Sequence, residues 1–374
     1  MSADLDDAAA LAAGDPGGML LAIASSAAQV REAARLSAEA DLAELAAEGR
    51  PRAVVVCGMG GSGIAGDVLA GVAGPGCPVP VLTHRGHGLP AWVGAADLVI
   101  AVSCSGGTEE TLSGLEEAVR RGCRLLVVGA AGSPVADLGA RGRAAFVPVP
   151  QGRQPRASVW ALSVPLVVAG QALGLLQAGP AEVEEAATVL EQVATRCRPD
   201  ADAVTNPGKR LALELEGALP SAWGTSPLAA TAAYRFACQL NENAKTPATW
   251  GALPEAGHNQ VVALDGPFAR GSNGEQDFFR DRAEEPERAR LRLVLLRDTD
   301  ERPEVVRRAD VVRDLAAERG LGVSALVAEG TGALARLASL VAVTDYASAY
   351  LALLQGTDPT PVHVITDLKQ RIRR

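Results

Sequence analysis

A glycine-rich segment that follows a short β-branched run could bind an anion through its backbone. The run Arg52–Cys57 leads into Gly58–Gly63, which reads GMGGSG, and a helical pattern begins at Ile64. Glycines let the backbone approach a ligand closely, and a helix start offers free N–H groups and a favourable dipole to a phosphate. The letters also match the GxGxxG pattern of dinucleotide-binding proteins, which needs a carboxylate after the next strand. This chain has His84 and Arg85 there and no carboxylate. Because Arg85 could bind the 2′-phosphate of NADP, NADP stays an alternative ligand. A tight turn without any ligand is a further alternative.

A second loop of hydroxyl and glycine residues favours a phosphate monoester over a pyrophosphate. The apolar run Leu98–Val102 is followed by Ser103–Thr111, which reads SCSGGTEET and leads into a helix. Hydroxyl groups and the N–H groups of a helix start can bind a phosphate without any lysine. Thr108 could simply be the N-cap of that helix, but capping does not account for Ser103 and Ser105. Loops of this kind after two strands predict a sugar-phosphate site.

Two polar segments in the second half carry side chains that can move protons near neutral pH. The first, Gln239–Ala248, contains Glu242 at the predicted end of a helix, and the second, Leu253–Asn259, contains His258. A carboxylate and an imidazole are suited to general acid–base catalysis. Helix capping by Asn243 and a solvated loop are the alternative for the first segment taken alone.

Continuous apolar runs alternate with helical spacing along the chain, which predicts an α/β fold with parallel sheets covered on both faces. The runs that read as strands are 52–57, 79–82, 98–102, 124–129, 145–149, 219–224, 292–297 and 323–327. The segments with helical spacing are 17–49, 64–73, 108–121, 156–198, 206–216, 229–243, 303–319 and 331–354. We therefore expect two doubly wound domains, at residues 17–198 and 199–374. The mixed charges of residues 270–290 predict a solvated loop.

Composition excludes several functions. The chain has 374 residues, 48% of them hydrophobic, and a formal net charge of −9. This acidic balance and an aromatic content of 3% argue against nucleic-acid binding, which needs cationic and stacking surfaces. The six cysteines form no CxxC pair, so no zinc cluster is indicated and reduced thiols in a cytoplasmic protein are expected.

Two segments bear on whether the chain enters a membrane. The acidic start Met1–Asp7 does not resemble a signal peptide. The uncharged stretch Ala157–Ala181 is interrupted by Pro165 and Gly170. We interpret it as a buried helix, inside a domain or at a subunit interface, rather than a membrane span. The prediction is therefore a protein with no membrane partner.

Four motifs in this order resemble the bifunctional phosphoglucose/phosphomannose isomerases, which are built from two sugar isomerase (SIS) domains. They are the glycine segment, the loop Ser103–Thr111, the Asn-Glu-Asn-Ala-Lys segment at 241–245 and the Pro-Glu-Ala-Gly-His-Asn segment at 254–259. The resemblance implies SIS-like domains and interconversion of glucose 6-phosphate or mannose 6-phosphate with fructose 6-phosphate. It also implies a homodimer with shared active sites and no metal or other cofactor. The preference between the two aldoses stays open.

The resemblance assigns phosphate binding to the two loops. Gly61 and Ser62 match the turn that faces the substrate, whereas Ser103, Ser105 and Thr108 match the cradle for the phosphate. The first pair lies in the glycine-rich segment, and the other three residues lie in the loop Ser103–Thr111.

The resemblance also implies catalytic roles. Arg156 matches an arginine near the reacting carbons, and Glu242 matches the base that moves a proton between C1 and C2. His258 matches the histidine that opens the sugar ring and comes from the neighbouring subunit, and Lys369 matches a C-terminal lysine at the site. Ring opening requires proton transfer, and the enediol that follows develops negative charge that cations stabilise.

The chain departs from the family pattern at a few positions. Cys104 and Gly107 stand where the family has an aromatic residue and Asn, and Gln260 stands where Glu is more common. The loop keeps every hydroxyl, so we expect binding to survive, whereas the change near His258 could lower turnover. A non-catalytic sugar-phosphate sensor is therefore the alternative function. Retention of Glu242, His258 and Lys369 favours catalysis, because binding alone needs only the loops.

Overall fold

The computed structural model describes residues 4–40, 42–269 and 289–372 of the chain. These residues form two compact units that each combine separated stretches of sequence. The N-terminal unit comprises Leu21–Ala194 and Glu329–Ser339. The C-terminal unit comprises the described parts of Met1–Leu20, Thr195–Ala328 and Leu340–Arg374. The sequence predicts a single division after residue 198, whereas residues 329–339 return to the N-terminal unit.

The chain begins with short helices, whereas the sequence predicts one amphipathic helix over residues 17–49. The helices are α1 (Ala8–Gly14), α2 (Met19–Ala24), α3 (Ser26–Ala38) and α4 (Leu42–Ala47). The Asp15 carboxylate accepts the N–H groups of Met19 and Leu20, both at 2.8 Å. Gly18 adopts a left-handed φ of 67°. This cap starts α2 close to the predicted beginning, and the predicted helix is interrupted further on. The Ser25 and Ser26 hydroxyls donate to carbonyls of α2, both at 2.7 Å, where α2 gives way to α3, and α3 ends at Ala38. The single long helix is therefore wrong.

Parallel strands form the sheet of the N-terminal unit, as the apolar runs predict. They are β1 (Val54–Cys57), β2 (Val81–His84), β3 (Leu98–Ser103), β4 (Arg124–Gly129) and β5 (Ala145–Pro148). Their order is β2-β1-β3-β4-β5. The helices that follow are α5 (Gly61–Ala73), α6 (Glu109–Arg120), α7 (Pro134–Arg141), α8 (Val159–Ala172) and α9 (Pro180–Arg196). β1 and β3 are buried along their whole length, because helices cover both faces of the sheet.

A core of branched aliphatic side chains holds the loops of this unit in place. Val55, Val99 and Val127, from three adjacent strands, belong to one buried cluster. Leu115 of α6 and Leu138 of α7 complete the same cluster. Burying each such side chain contributes about 1.5–3 kcal/mol, so the strand ends that carry the predicted loops have a rigid base.

The C-terminal unit contains a second parallel sheet. Its strands are β6 (Ala218–Gly224), β7 (Thr249–Ala252), β8 (Arg290–Arg297) and β9 (Gly322–Val327), in the order β7-β6-β8-β9. Its helices are α10 (Pro207–Leu215), α11 (Pro227–Glu242), α12 (Pro303–Glu318), α13 (Ala333–Leu354) from Leu340 onward, and α14 (His363–Ile372). The apolar pattern predicts the strands apart from β7, and it does not predict α14. Residues 270–288 of the predicted solvated loop lie outside the described residues.

The long apolar segments are core helices. The predicted buried helix within Ala157–Ala181 is α8, whose side chains are mostly buried. Within the part of the chain that the structure describes, α13 is the one helix long and apolar enough to cross a membrane. The whole of its apolar window is buried inside the protein, as expected of a core helix.

Candidate active site

The strand order of the N-terminal sheet creates a crevice at the carboxyl ends of β1 and β3. From β1 the chain moves outward to β2 and then returns to β3 on the other side of β1. Ligands of open parallel sheets bind where the strand order reverses in this way. The glycine turn (Gly58–Gly63) follows β1, and the hydroxyl loop (Ser103–Thr111) begins at the last residue of β3. The two predicted phosphate-binding loops therefore meet at this crevice.

Close packing requires several glycines of the glycine turn and leaves space beside Gly61. A Cβ on Gly58 would lie 2.9 Å from the Ser62 carbonyl group, and one on Gly63 would lie 2.7 Å from the Gly58 carbonyl oxygen. These glycines allow the turn to fold back on itself. A Cβ on Gly61, the first residue of α5, would meet only the Pro155 carbonyl oxygen, at 3.8 Å. The turn therefore leaves room for a ligand at Gly61.

The hydroxyl loop is organised around a buried serine. Ser103 is fully buried, and its Oγ lies 3.0 Å from Thr108 Oγ1 and accepts the Gly106 N–H at 3.0 Å. Thr108 occupies the N-cap position of α6, but its side chain makes no capping hydrogen bond. Ser105 is exposed, and its Oγ accepts the Gly107 N–H at 3.4 Å. Ser103 thus orients the loop, while Ser105 and the half-buried Thr108 stay accessible.

A third loop, after β5, adjoins the other two. The Gln151 amide donates to the Cys104 carbonyl at 3.4 Å, and the Cys104 N–H donates to Ser62 Oγ at 3.2 Å. The half-buried Arg156 lies in the 3-10 turn Pro155–Ala157, whose first carbonyl faces Gly61. Three contacting loops at one end of the sheet therefore carry the predicted residues Gly61, Ser62, Ser103, Ser105, Thr108 and Arg156.

The backbone at the start of α6 presents partial positive charge beside the hydroxyl loop. The N–H groups in the first turn of α6 lack partners within the helix and carry partial positive charge. Burial raises the pKa of the Cys104 thiol, and a hydrogen bond with Ser158 opposes this only in part. Cys104 is therefore neutral at physiological pH and adds no negative charge beside the hydroxyl loop.

The surroundings of Arg85 do not favour the NADP alternative. Arg85 forms an ion pair with Asp67, and the Thr83 hydroxyl donates to the same carboxylate at 2.9 Å. Burial raises the pKa of Asp67, whereas Arg85 and Thr83 act to lower it. The positive charge that a 2′-phosphate would need is thus matched by a carboxylate of the protein itself.

Glu242 is the last residue of α11, in the C-terminal unit, and it is half-buried. Buried polar contacts with α13 hold this helix on both sides of the carboxylate. Arg235 donates to Asp345 twice, at 3.0 and 2.6 Å. The Asn243 amide donates to Ser348 Oγ at 2.9 Å. These contacts fix the rotation and height of the helix end, and therefore the position of Glu242.

His258 lies on the loop that follows β7, and its side chain is exposed. Its N–H donates to the Glu255 carbonyl at 2.8 Å. The Gln260 amide donates to the Trp250 carbonyl at 3.1 Å, and the Asn259 amide donates to the Glu255 carboxylate at 2.9 Å. The glutamine that departs from the family pattern therefore ties the histidine loop back to β7.

Glu242 precedes β7 of the C-terminal sheet along the chain, and His258 follows it. α11 connects β6 to its parallel neighbour β7, so the helix runs back against the strand direction and ends where β7 begins. His258 lies on the loop that follows the carboxyl end of β7. The carboxylate therefore lies on the connection before β7 and the imidazole on the connection after it.

Lys369 lies on α14, along which every described residue is exposed. The same helix carries apolar residues that are each between 38% and 82% exposed, namely Val364, Ile365, Leu368 and Ile372. The structure thus places Lys369 in the same unit as Glu242 and His258, on a helix that presents apolar side chains to solvent.

The C-terminal sheet has a crevice of its own, between β6 and β8, which the sequence analysis did not identify. Here Ser226 donates to the Asp298 carboxylate at 2.8 Å, and the Thr225 hydroxyl donates to Glu301. Arg297 binds the same Glu301 at 2.6 Å. Because these hydroxyl groups already donate to negatively charged carboxylates, this crevice disfavours a phosphate. The sequence features that could have indicated this crevice are the Thr-Ser pair after β6 and the acidic residues after β8.

The fold and the family match define the class of protein. Residues 204–372 match the family described as the bacterial phospho-glucose isomerase C-terminal SIS domain. The fold is shared with a glucose-6-phosphate isomerase from Chlamydia trachomatis, with a TM-score of 0.67 and 15% identity over 94% of this chain and 77% of that chain. The predicted α/β class, with parallel sheets flanked by helices, is confirmed, and the chain is an SIS-domain protein.

More similar relatives narrow the class to a family. The chain is 33% identical to the bifunctional phosphoglucose/phosphomannose isomerase of Caldicellulosiruptor bescii, over 85% of this chain and 89% of that protein. It is 31% identical to the enzyme of that name from Aquifex aeolicus, over 86% of this chain and 91% of that protein. The chain belongs to the bifunctional phosphoglucose/phosphomannose isomerase family. It is therefore an intramolecular oxidoreductase that isomerises sugar phosphates, as the motifs predict.

Proposed function

We propose that the chain interconverts glucose 6-phosphate, mannose 6-phosphate or both with fructose 6-phosphate, through an enediol and without a metal. The observation that carries the proposal is the hydroxyl loop at the crevice of the N-terminal sheet. Its accessible hydroxyls and the start of α6 are suited to a phosphate monoester. The names of the relatives, which include both aldose phosphates, support the substrate class. A cytoplasmic location stays a prediction.

The phosphate is held by neutral donors in this proposal. Ser105 and Thr108 donate their hydroxyls, and Ser103 fixes the direction of Thr108 through their 3.0 Å contact. Ser62 closes the other side of the cradle, with Gly61 leaving room for the ester. The dipole of α6 favours the dianion, so the cradle needs no lysine.

The isomerisation itself requires proton transfer at two places. The His258 imidazole moves the proton that opens the sugar ring, and the Glu242 carboxylate takes the proton from one carbon and returns it to the next. Negative charge develops on the substrate oxygens in the enediol. Arg156 and Lys369 stabilise that charge more strongly in the transition state than in the ground state.

The proposal includes a second copy of the chain. Glu242 precedes β7 and His258 follows it, and the family resemblance implies a histidine from the neighbouring subunit. We propose that a homodimer supplies His258 to the site that contains the other copy's Glu242. A symmetric dimer would then hold two equivalent shared sites.

A coupled assay for fructose 6-phosphate, with each aldose phosphate as substrate, tests the activity. Glu242→Gln should lower kcat by about 100-fold or more while binding of fructose 6-phosphate, measured by calorimetry, is retained. Glu318→Gln is the matched control, because Glu318 is also the last residue of a helix, α12. Binding without turnover in the wild-type protein would instead identify the chain as a sugar-phosphate sensor.

Subunit mixing tests whether the sites are shared. Glu242→Gln and His258→Asn homodimers should each be inactive, and a mixture that exchanges subunits should regain about one quarter of the wild-type activity, from the one intact site in each heterodimer. No recovery in demonstrated heterodimers would exclude a shared site of this composition.

A further inference from the structure

Lys245, which ends the Asn-Glu-Asn-Ala-Lys segment, has a left-handed backbone. Its φ is 54°, and the only other non-glycine residue with a positive φ in the described ranges is Arg143. Glycine adopts this conformation without the steric cost that a side chain brings. The turn follows the buried Ala244 and lets the Thr246 N–H donate to the Leu240 carbonyl at 3.1 Å. A lysine at such a position calls for a compensating role of its side chain.

The ammonium group of Lys245 joins two segments of the C-terminal unit. Its Nζ donates to the carbonyl oxygens of Asn243 at 3.0 Å, Asp358 at 2.9 Å and Pro359 at 3.5 Å. An ammonium has three donors, and these three carbonyls match them. The first carbonyl is at the end of α11, next to Glu242, and the other two lie between α13 and α14. Glycine could form the turn but could not make this connection.

The segment that receives these hydrogen bonds is itself well fixed. The Thr360 N–H donates to the Asp358 carboxylate at 2.9 Å. Gly17 packs so closely that a Cβ on it would lie 2.2 Å from Thr360 Oγ1. α14 begins shortly afterwards, at His363, and carries Lys369. Lys245 therefore contacts residues 358–359, in the segment 358–362 that leads into the helix of Lys369. We call this segment the base of α14.

We propose that Lys245 is a positioning residue that ties the end of α11, with Glu242, to the base of α14, and so sets the position of Lys369 during isomerisation. This inference rests on the proposed function for the effect on turnover. The connection between α11 and the base of α14 can be tested without substrate.

A double-mutant cycle on isomerase turnover tests the route through Lys369. Lys245→Met should lower kcat about tenfold and change KM for fructose 6-phosphate less than about twofold, because the lost effect concerns the reacting carbons. In a Lys369→Met background, the same substitution should lower kcat no further. An equal loss in both backgrounds would overturn the proposal.

A second variant separates the side chain from the backbone turn. Lys245→Gly relieves the left-handed conformation but removes the ammonium, so its kcat should fall as far as that of Lys245→Met. Wild-type turnover in the glycine variant would show that the turn alone matters and would contradict the proposal.

Amide hydrogen exchange of the full chain without substrate tests the connection independently of activity. Lys245→Met should speed exchange across residues 359–372, whereas Arg143→Met, which removes a cation from the other left-handed residue, should leave that region unchanged. Unchanged exchange in Lys245→Met would refute the connection. If the wild-type protein isomerised neither aldose phosphate, the role of Lys369 would fall with the proposed function, and faster exchange would still support the connection.

Discussion

Replacing Gly106 with alanine should destabilise the hydroxyl loop for two separate reasons. Gly106 has a φ of 71°, and a Cβ there would lie 2.0 Å from Ser133 Oγ and 2.2 Å from Ser133 Cβ. Ser133 is buried and donates to the Ala130 carbonyl at 2.6 Å, so it has little room to move. The left-handed conformation costs about 1–2 kcal/mol, and the overlap costs about 1–3 kcal/mol. Gly106→Ala should therefore lower the free energy of unfolding by about 2–5 kcal/mol.

The same substitution should weaken substrate binding, because the Gly106 N–H donates to the Ser103 hydroxyl that orients Thr108. Urea unfolding and the KM for fructose 6-phosphate measure the two effects. Gly107→Ala is the matched control, since nothing lies within 4 Å of a Cβ built there, and its stability should change by less than about 0.5 kcal/mol. Adding Ser133→Gly to Gly106→Ala should recover part of the lost stability by removing the overlap. Equal stability and KM in the Gly106 and Gly107 variants would refute the reasoning.

Three further substitutions probe other contacts. Arg235→Leu should lower the free energy of unfolding, measured in urea, by about 3–5 kcal/mol, because it removes the cation from a buried carboxylate, Asp345. A hydrogen bond from Arg121 lowers the pKa of Glu117. The Arg121–Glu117 pair therefore stabilises the fold at pH values above the ordinary glutamate pKa of about 4.3, and this stabilisation is lost as the pH falls below that value. Glu117→Gln should accordingly lose less stability than wild type between about pH 6 and about pH 3 in urea titrations. Thr108→Val should raise KM about tenfold with little change in kcat, and an unchanged KM would remove Thr108 from the phosphate site.

The strands were predictable because they are short runs of β-branched and aliphatic residues that need burial on both faces. Val54–Cys57 and Leu98–Ser103 show this pattern without interruption. β7 was missed because Thr249–Ala252 is only 4 residues long and contains a single β-branched residue together with a glycine. The breaks between the first helices were missed because alanine and leucine favour helix throughout, and the start of α2 is set by the Asp15 cap.

The loops of the candidate site were predictable because their chemistry is local. The glycine turn and the hydroxyl loop each follow a strand directly, so sequence order alone assigns them to one sheet edge. The contacts that hold Glu242 could not be foreseen, because Arg235 and Asp345 are separated by 110 positions. Lys245 and Asp358 are separated by 113. Nothing in the spacing of such pairs reveals that they meet.

The two sheets show that the same strand arrangement does not impose the same chemistry. In both sheets the order reverses beside the first strand, between β1 and β3 and between β6 and β8, and hydroxyl residues follow that strand or its neighbour. At the first crevice the Gly106 and Gly107 N–H groups donate to serine hydroxyls of the loop itself, and the exposed Ser105 and the half-buried Thr108 stay accessible to a ligand. At the second crevice, carboxylates from the β8–α12 loop accept the hydroxyl hydrogens instead. We therefore expect a phosphate at the first crevice rather than at the second, and in the proposed mechanism the C-terminal unit contributes acid–base side chains rather than a second cradle.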